Sequence, residues 1–184
     1  MVTQQEWANR KVAGNGGEFG FLPVLTIEGK EYGQTGAILR MLGSKYGYYD
    51  PANAYNIDSV IELFEEANNN LGKLLFMQGD EEQKKKELER QVEKVHKPAL
   101  AYFEKQLSDH LGPFIAGEKL SIADFCVFAL RKNLWQNPAF GDVFSQLLKQ
   151  FECVEHYLRE TDKEIPIVVE EDLKGGVEGR ANPA

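Results

Sequence analysis

Apolar residues recur at helical spacing between Asn53 and about Met77. Ile57, Val60, Ile61, Phe64, Leu71, Leu74 and Leu75 form one stripe and predict a long amphipathic helix. A second long helix is predicted from about Glu81 to Leu111. Its first half, EEQKKKELERQ, is a solvated charged face, and its second half carries Val95, Leu100, Phe103 and Leu107. Pro98 lacks an N–H and should kink that helix or fall at a local break. Upstream the pattern changes. Val24-Leu25-Thr26-Ile27 is apolar or β-branched, Glu28-Gly29-Lys30 supplies a turn, and Glu31-Tyr32 comes next, which together predict a β-hairpin. A helix then begins near Thr35, whose hydroxyl can cap it, with Ile38, Leu39 and Leu42 on one face. Ahead of the hairpin, Thr3-Gln4-Gln5-Glu6 has a capping-box pattern and should start a short helix carrying Trp7 and Lys11.

Downstream, Ser121 with Asp124 three positions on is a second capping pattern, and Leu120 can staple against Phe125. Asp124 should lie among apolar neighbours, tolerated because it accepts N–H bonds at a helix start; both residues are read as a structural cap. Two more helices are predicted, about Val143 to Phe151 and Glu152 to Glu160. Tyr46-Gly47-Tyr48-Tyr49-Asp50-Pro51 breaks the pattern between the first part and the helical remainder. The expected organisation is a small α/β unit over residues 1–47, a linker at 48–52, a helical domain over 53–162, and an extended tail over 163–184 with too little apolar content to fold by itself.

Composition narrows the function. The 184 residues are 42% hydrophobic, enough for a sizeable core, and the net charge of −8 with a pI near 5.0 disfavours nucleic-acid backbones as partners. No apolar run approaches membrane-spanning length, and the first residues lack the basic-then-apolar order of a secretory signal. Membrane insertion and secretion are therefore not expected. Cys126 and Cys153 stand in apolar helical patterns without CxxC or His spacing, so they read as buried reduced thiols of a cytoplasmic or other reducing compartment, and no metal site is expected. The Gly14–Gly20 loop superficially resembles a dinucleotide fingerprint, but it follows a helix and precedes a strand, the reverse of what phosphate cradling needs.

Four local motifs occur in a telling order: TQQEWANRK, LPVL (Leu22 to Leu25), GQTGAILRML and GEKLSIADF. Each is weak by itself. In sequence they resemble the cytosolic glutathione transferases, most closely the sigma-like class, over about Val2 to Glu160. The resemblance implies an α+β then all-α fold: an incomplete thioredoxin-like unit of helix, hairpin and helix, and after it a glutathione-transferase-type helical bundle. It implies a cis bond before Pro23, which residues alone would read only as a strand start, and glutathione held through Leu22 and Pro23, Gln34 and Thr35.

Glutathione carries two carboxylates and an amino group, and the residues suit that pattern. Thr35 at a helix N-terminus offers a hydroxyl and free backbone N–H groups to the γ-glutamyl carboxylate, and Gln34 can reach the same group. Trp7 and Lys11, one helical turn apart, suit the glycyl carboxylate. Asp58 resembles the family aspartate that reaches the γ-glutamyl amino group across a dimer; for Lys11 and Asp58 an ordinary solvated charge is the competing reading. The resemblance also implies a first strand ending in a catalytic tyrosine, and none of the seven tyrosines occupies the corresponding place, so no catalytic residue is assigned. The expectation is a glutathione-binding, non-catalytic dimerisation or assembly subunit, or alternatively a fragment or mis-started form of an active transferase that conjugates glutathione to electrophiles.

Overall fold

The computed structural model describes residues 4–14, 17, 19–75, 77–109, 112–140 and 142–175; for Gln4, Leu71, Gly72, Leu75 and 167–175 only the backbone is described. Thr3, the expected cap of the first helix, lies outside the described residues. Helix α1 (Gln4–Val12) leads into strands β1 (Leu25–Ile27) and β2 (Lys30–Tyr32), then helix α2 (Thr35–Tyr46). The two strands are antiparallel, with Leu25 opposite Tyr32 and Ile27 opposite Lys30. Their two-residue connection has positive φ at both Glu28 (50°) and Gly29 (78°), the turn geometry that matches strand twist.

A short 3₁₀ turn (Pro51–Asn53) links this unit to α3 (Ala54–Leu75). Helices α4 (Glu81–Gln91) and α5 (Lys97–Asp109) come next, joined without interruption by a π-helical turn (Val92–His96) in which the Lys97 N–H donates to the Val92 carbonyl. This is the local break expected at Pro98. Proline removes one ladder donor and crowds the carbonyl four residues back, and a widened turn just before it accommodates both effects. Then come α6 (Ile122–Leu130), a second π turn (Arg131–Trp135), α7 (Val143–Leu148) and α8 (Glu152–Gly175).

The core is the helical domain. Ile57, Val60 and Ile61 of α3 cluster with Leu100 and Phe103 of α5, Ala123, Val127 and Leu130 of α6, and Val154 and Leu158 of α8. Ile57, Val60, Ile61 and Leu74 of the predicted α3 stripe are buried, while Phe64 is half-buried at the edge of this core. Cys126 is buried and its thiol is pushed up to about 12 by burial; Cys153 is only half-buried, and both are free. The small unit docks through α2, where Gly43 meets α6 so closely that an added Cβ would lie 2.8 Å from Ile122 Cγ2. Beside it, the Ile122 N–H donates to the Tyr48 carbonyl at 2.9 Å.

One expectation is overturned. Residues 163–175 of the expected tail are not extended: α8 continues to Gly175, with Ile165 buried, and 176–184 lie outside the described residues. Ile165 extends the apolar face that Tyr157 and Leu158 begin, and the helix carries on through Pro166.

Asp124 organises the start of α6. It is fully buried, and its carboxylate accepts from four donors: the Ile115 N–H at 2.8 Å, the Tyr157 hydroxyl at 2.8 Å, and the Ser121 N–H and hydroxyl at 2.8 and 2.9 Å. Burial raises its pKa, and the four donors oppose that rise. Burial, and then the neighbouring carboxylate, hold the Tyr157 proton well above the ordinary phenol range.

Replacing Asp124 with alanine strands these donors in the core, and a loss of about 3 kcal/mol is expected in urea unfolding, with Asp124→Asn intermediate. His96 supplies a pH test. It is 2% exposed with its ring edge-on to Phe144, and burial lowers its pKa from 6.5 to about 4. The unfolded chain therefore takes up this proton first as the pH drops. Stability is complete above 6.5 and falls as the pH declines toward about 4, by at most about 3 kcal/mol. Asp124, with its raised pKa, acts in the opposite sense in acid. Comparison with His96→Leu isolates the histidine: the variant should lose most of the slope over this window, and an unchanged slope would assign it elsewhere.

Candidate functional site

A cavity of about 140 Å³ opens where the hairpin unit meets α3. Leu22, Pro23, Gln34 and Thr35 line one side, and Phe64, Glu65, Asn68 and Asn69 of α3 line the other, with Phe19 and Phe21 at the mouth. The Leu22–Pro23 bond is cis, as the resemblance implied. Four of the expected ligand residues are thus brought together from two separate stretches of chain.

Gln34 is the backbone outlier of this site. It stands at φ 69°, ψ 111° immediately before α2, a conformation that non-glycine residues seldom adopt and that concentrates at functional sites. The expected cap at Thr35 is corrected by this geometry. Gln34 occupies the cap position without a side-chain hydrogen bond, and Thr35 is the first helical residue. The unusual turn at Gln34 places half-buried Thr35 against the cavity, so its hydroxyl is not spent on the helix. The first N–H groups of α2 have no intrahelical acceptors, and this end of the helix carries partial positive charge.

The opposite wall carries one carboxylate, that of Glu65. A Cβ on Gly36 would sit 2.7 Å from Glu65 Oε1 and 2.9 Å from Arg40 Nη1, so glycine is what allows the carboxylate to pack on the first turn of α2. No sequence motif marks Glu65. It lies seven residues after Asp58, two turns along one face of α3, and that spacing is the signal that would have found it.

The other expected site residues lie outside this cavity. The Asp58 carboxylate is engaged by Arg40 Nε at 2.8 Å and accepts from the Tyr49 hydroxyl at 3.1 Å, while Arg40 Nη2 reaches Glu62 at 2.9 Å. Burial, and then the bond to Asp58, raises the Tyr49 pKa. This network pins α2 and the linker to α3. Trp7, half-buried, and Lys11, exposed, ride on α1. The Lys11 stem approaches the loop before the hairpin, its Cδ 3.9 Å from where a Cβ on Gly20 would stand. Among the described residues no group of three His, Cys, Asp or Glu side chains is placed to hold a metal ion, and no helix is long and apolar enough to cross a membrane.

The family model for the glutathione S-transferase C-terminal domain matches residues 65–164, more than half of the chain. The chain belongs to the glutathione S-transferase family. Among curated proteins it is similar to the Caenorhabditis elegans protein named "Probable glutathione S-transferase 6", 27% identical over 130 residues. That match takes in 67% of this chain and 60% of the relative, less than two thirds of that protein's length. Solved structures share the fold. The glutathione S-transferase Blo t 8 superposes with a TM-score of 0.75 at 20% identity, over 93% of this chain and 76% of its own. Prostaglandin synthase D of Nilaparvata lugens gives 0.69 at 23% identity, over 99% and 84%. A Necator americanus glutathione S-transferase described as monomeric gives 0.67 at 21% identity, over 99% and 83%. These likenesses agree with a glutathione-transferase N-terminal unit of thioredoxin type joined to the family's helical domain.

The network on α3 is open to test. Arg40→Ala leaves Asp58 and Glu62 without their guanidinium. Because the groups are about a third or more exposed, solvent screening limits the loss to about 1 kcal/mol. Hydrogen exchange should show faster opening of α2 with the core of α6 unchanged.

Proposed function

We propose that this chain is a sigma-like member of the family that binds glutathione at the Thr35 cavity and serves as a non-catalytic dimerisation or assembly subunit. The observation that supports binding most directly is the pairing of opposite electrostatic poles across one small cavity. The positive end of α2, with the Thr35 hydroxyl and the Gln34 amide, suits a carboxylate, and Glu65 on the facing wall suits an ammonium. The γ-glutamyl end of glutathione carries both groups on one carbon. In this reading Glu65 takes the amino-group role that the family resemblance gives to Asp58, whose carboxylate is occupied by Arg40 and Tyr49. Trp7 and Lys11 remain candidates for the glycyl carboxylate, on the side where the Lys11 stem approaches Gly20.

Chemistry at sulfur requires a group that favours the thiolate. In this reading the chain is assigned no such group, and glutathione is bound without activation. Assembly is supported by the apolar surface at the cavity mouth, where Phe21 is 71% and Leu22 56% exposed. Exposed apolar patches mark interaction surfaces. The same surface favours a second reading, in which another polypeptide segment completes the wall and the assembled site conjugates glutathione to electrophiles.

Calorimetric titration with glutathione, paired with a conjugation assay on a standard electrophile, tests both readings. Saturable binding is expected, weakened roughly tenfold by Glu65→Gln and further by Thr35→Val combined with it. The conjugation rate should match the uncatalysed one. Turnover well above background replaces the first reading with the second, and absence of binding removes both for this chain.

A further inference from the structure

A second cavity, of about 210 Å³, lies at the seam between the small unit and the helical domain. Gly47, which lines it, closes the helix that Thr35 begins, so roughly 18 Å of α2 separates the two sites, and they share no lining residue. Three stretches of chain build the walls. Tyr48 and Asp50 come from the linker, Ile57 from α3, and Glu118, Lys119 and Leu120 from the loop that enters α6. Two hydrogen bonds tie these stretches together: the Ile122 N–H donates to the Tyr48 carbonyl at 2.9 Å, and the Asn53 amide donates to the Ala116 carbonyl. The walls are therefore fixed relative to one another.

The apolar part of the lining is rigid. Ile57 is 1% exposed and belongs to the core, and the Tyr48 ring is held edge-on to Phe125 at 5.3 Å. Charges of both signs share the cavity with it. Asp50 gives Oδ1 to the Ala52 N–H at 2.9 Å, and Asp50, Glu118 and Lys119 are exposed and form no ion pair among the described residues. The C-terminal end of α2 at Gly47 adds partial negative charge on the linker side. A purely anionic ligand would meet two carboxylates here, and a purely cationic one would meet the ammonium. A zwitterion with a short apolar body meets neither conflict.

From this juxtaposition we infer that the seam cavity binds a free aliphatic α-amino acid. Its ammonium lies on Asp50 and Glu118, its carboxylate on Lys119, and its side chain against Tyr48, Ile57 and Leu120. Sites for drug-sized ligands run from about 300 Å³ upward, and this smaller cavity suits a single amino acid. Nothing in this site depends on what occupies the Thr35 cavity.

The probes are L-leucine, 4-methylpentanoate, which lacks the amino group, and 3-methylbutylamine, which lacks the carboxylate, each titrated calorimetrically into the full chain. L-leucine should bind one molecule per chain with a dissociation constant of about 1 mM. Each analogue should bind roughly fivefold more weakly, the effect of one partly screened charge pair. Lys119→Gln should remove the preference over the amine, and Asp50→Asn combined with Glu118→Gln should remove the preference over the carboxylate. All three positions are exposed, and asparagine retains the cap that Asp50 provides, so the variants should unfold in urea as the parent does. Thr35→Val combined with Glu65→Gln, which disables the first cavity, should leave L-leucine binding unchanged. Equal binding of the three compounds, retention of both preferences in the variants, or loss of binding in the double variant of the first cavity would each overturn the assignment. Absence of binding at about 10 mM L-leucine, well above the expected constant, would overturn it as well.

Discussion

The fold depends on one buried anion. Asp124 has no exposed surface, yet it takes donors from the loop at Ile115, the helix start at Ser121 and the side chain of Tyr157 on α8. A carboxylate removed from water is costly unless its lone pairs are filled, and here four donors fill them. Because those donors come from three places in the chain, satisfying the charge also fixes where those places lie relative to one another. Ile122, the first residue of α6, also donates to Tyr48, so the same helix start that carries the anion anchors the linker from the small unit. The stability of α6 and the placement of α2 are in this sense one problem.

Once α2 is set against α3, the Thr35 cavity arises from two close approaches. Gly43 allows α2 to touch α6, and Gly36 allows Glu65 to lie over the first turn of α2. Gln34 adopts its unusual backbone conformation between β2 and α2, which turns Thr35 and the free N–H groups of the helix toward the same space as the α3 carboxylate. The two poles face each other because the backbone at Gln34 is held in a sparsely populated conformation by the packed elements on either side.

The long helical segment shows how local chemistry is absorbed by packing. Pro98 does not end the helix from Glu81 to Asp109; a π turn ahead of it keeps the chain continuous and carries His96 into the core against Phe144. The Arg131–Trp135 π turn likewise delivers Leu134 and Trp135 to the interior. An extra residue in a turn rotates the helix downstream of it, so these two turns decide which side chains face the core beyond α4 and α6.

Much was determined by the sequence itself. The apolar stripe of α3, the turn at Glu28-Gly29, the Ser121–Asp124 cap and the proline-led segment at Leu22 are all written in local residue chemistry, since periodicity, turn preference and capping act over a few neighbouring positions. The motif order pointed to the family and to Leu22, Pro23, Gln34 and Thr35, which do share one cavity. Tertiary structure decided which charges are free. Asp58 and Glu65 stand on one face of α3 and look alike in sequence, but Arg40 and Tyr49 come from elsewhere in the chain to occupy Asp58, while Glu65 is left lining the cavity. Thr35 passed from cap to cavity wall for the same kind of reason, and α8 ran past residue 163 because Ile165 found a place in the core. Local sequence sets what a segment prefers; which of its groups stay available is settled by partners far away in the chain, and no local pattern contains them.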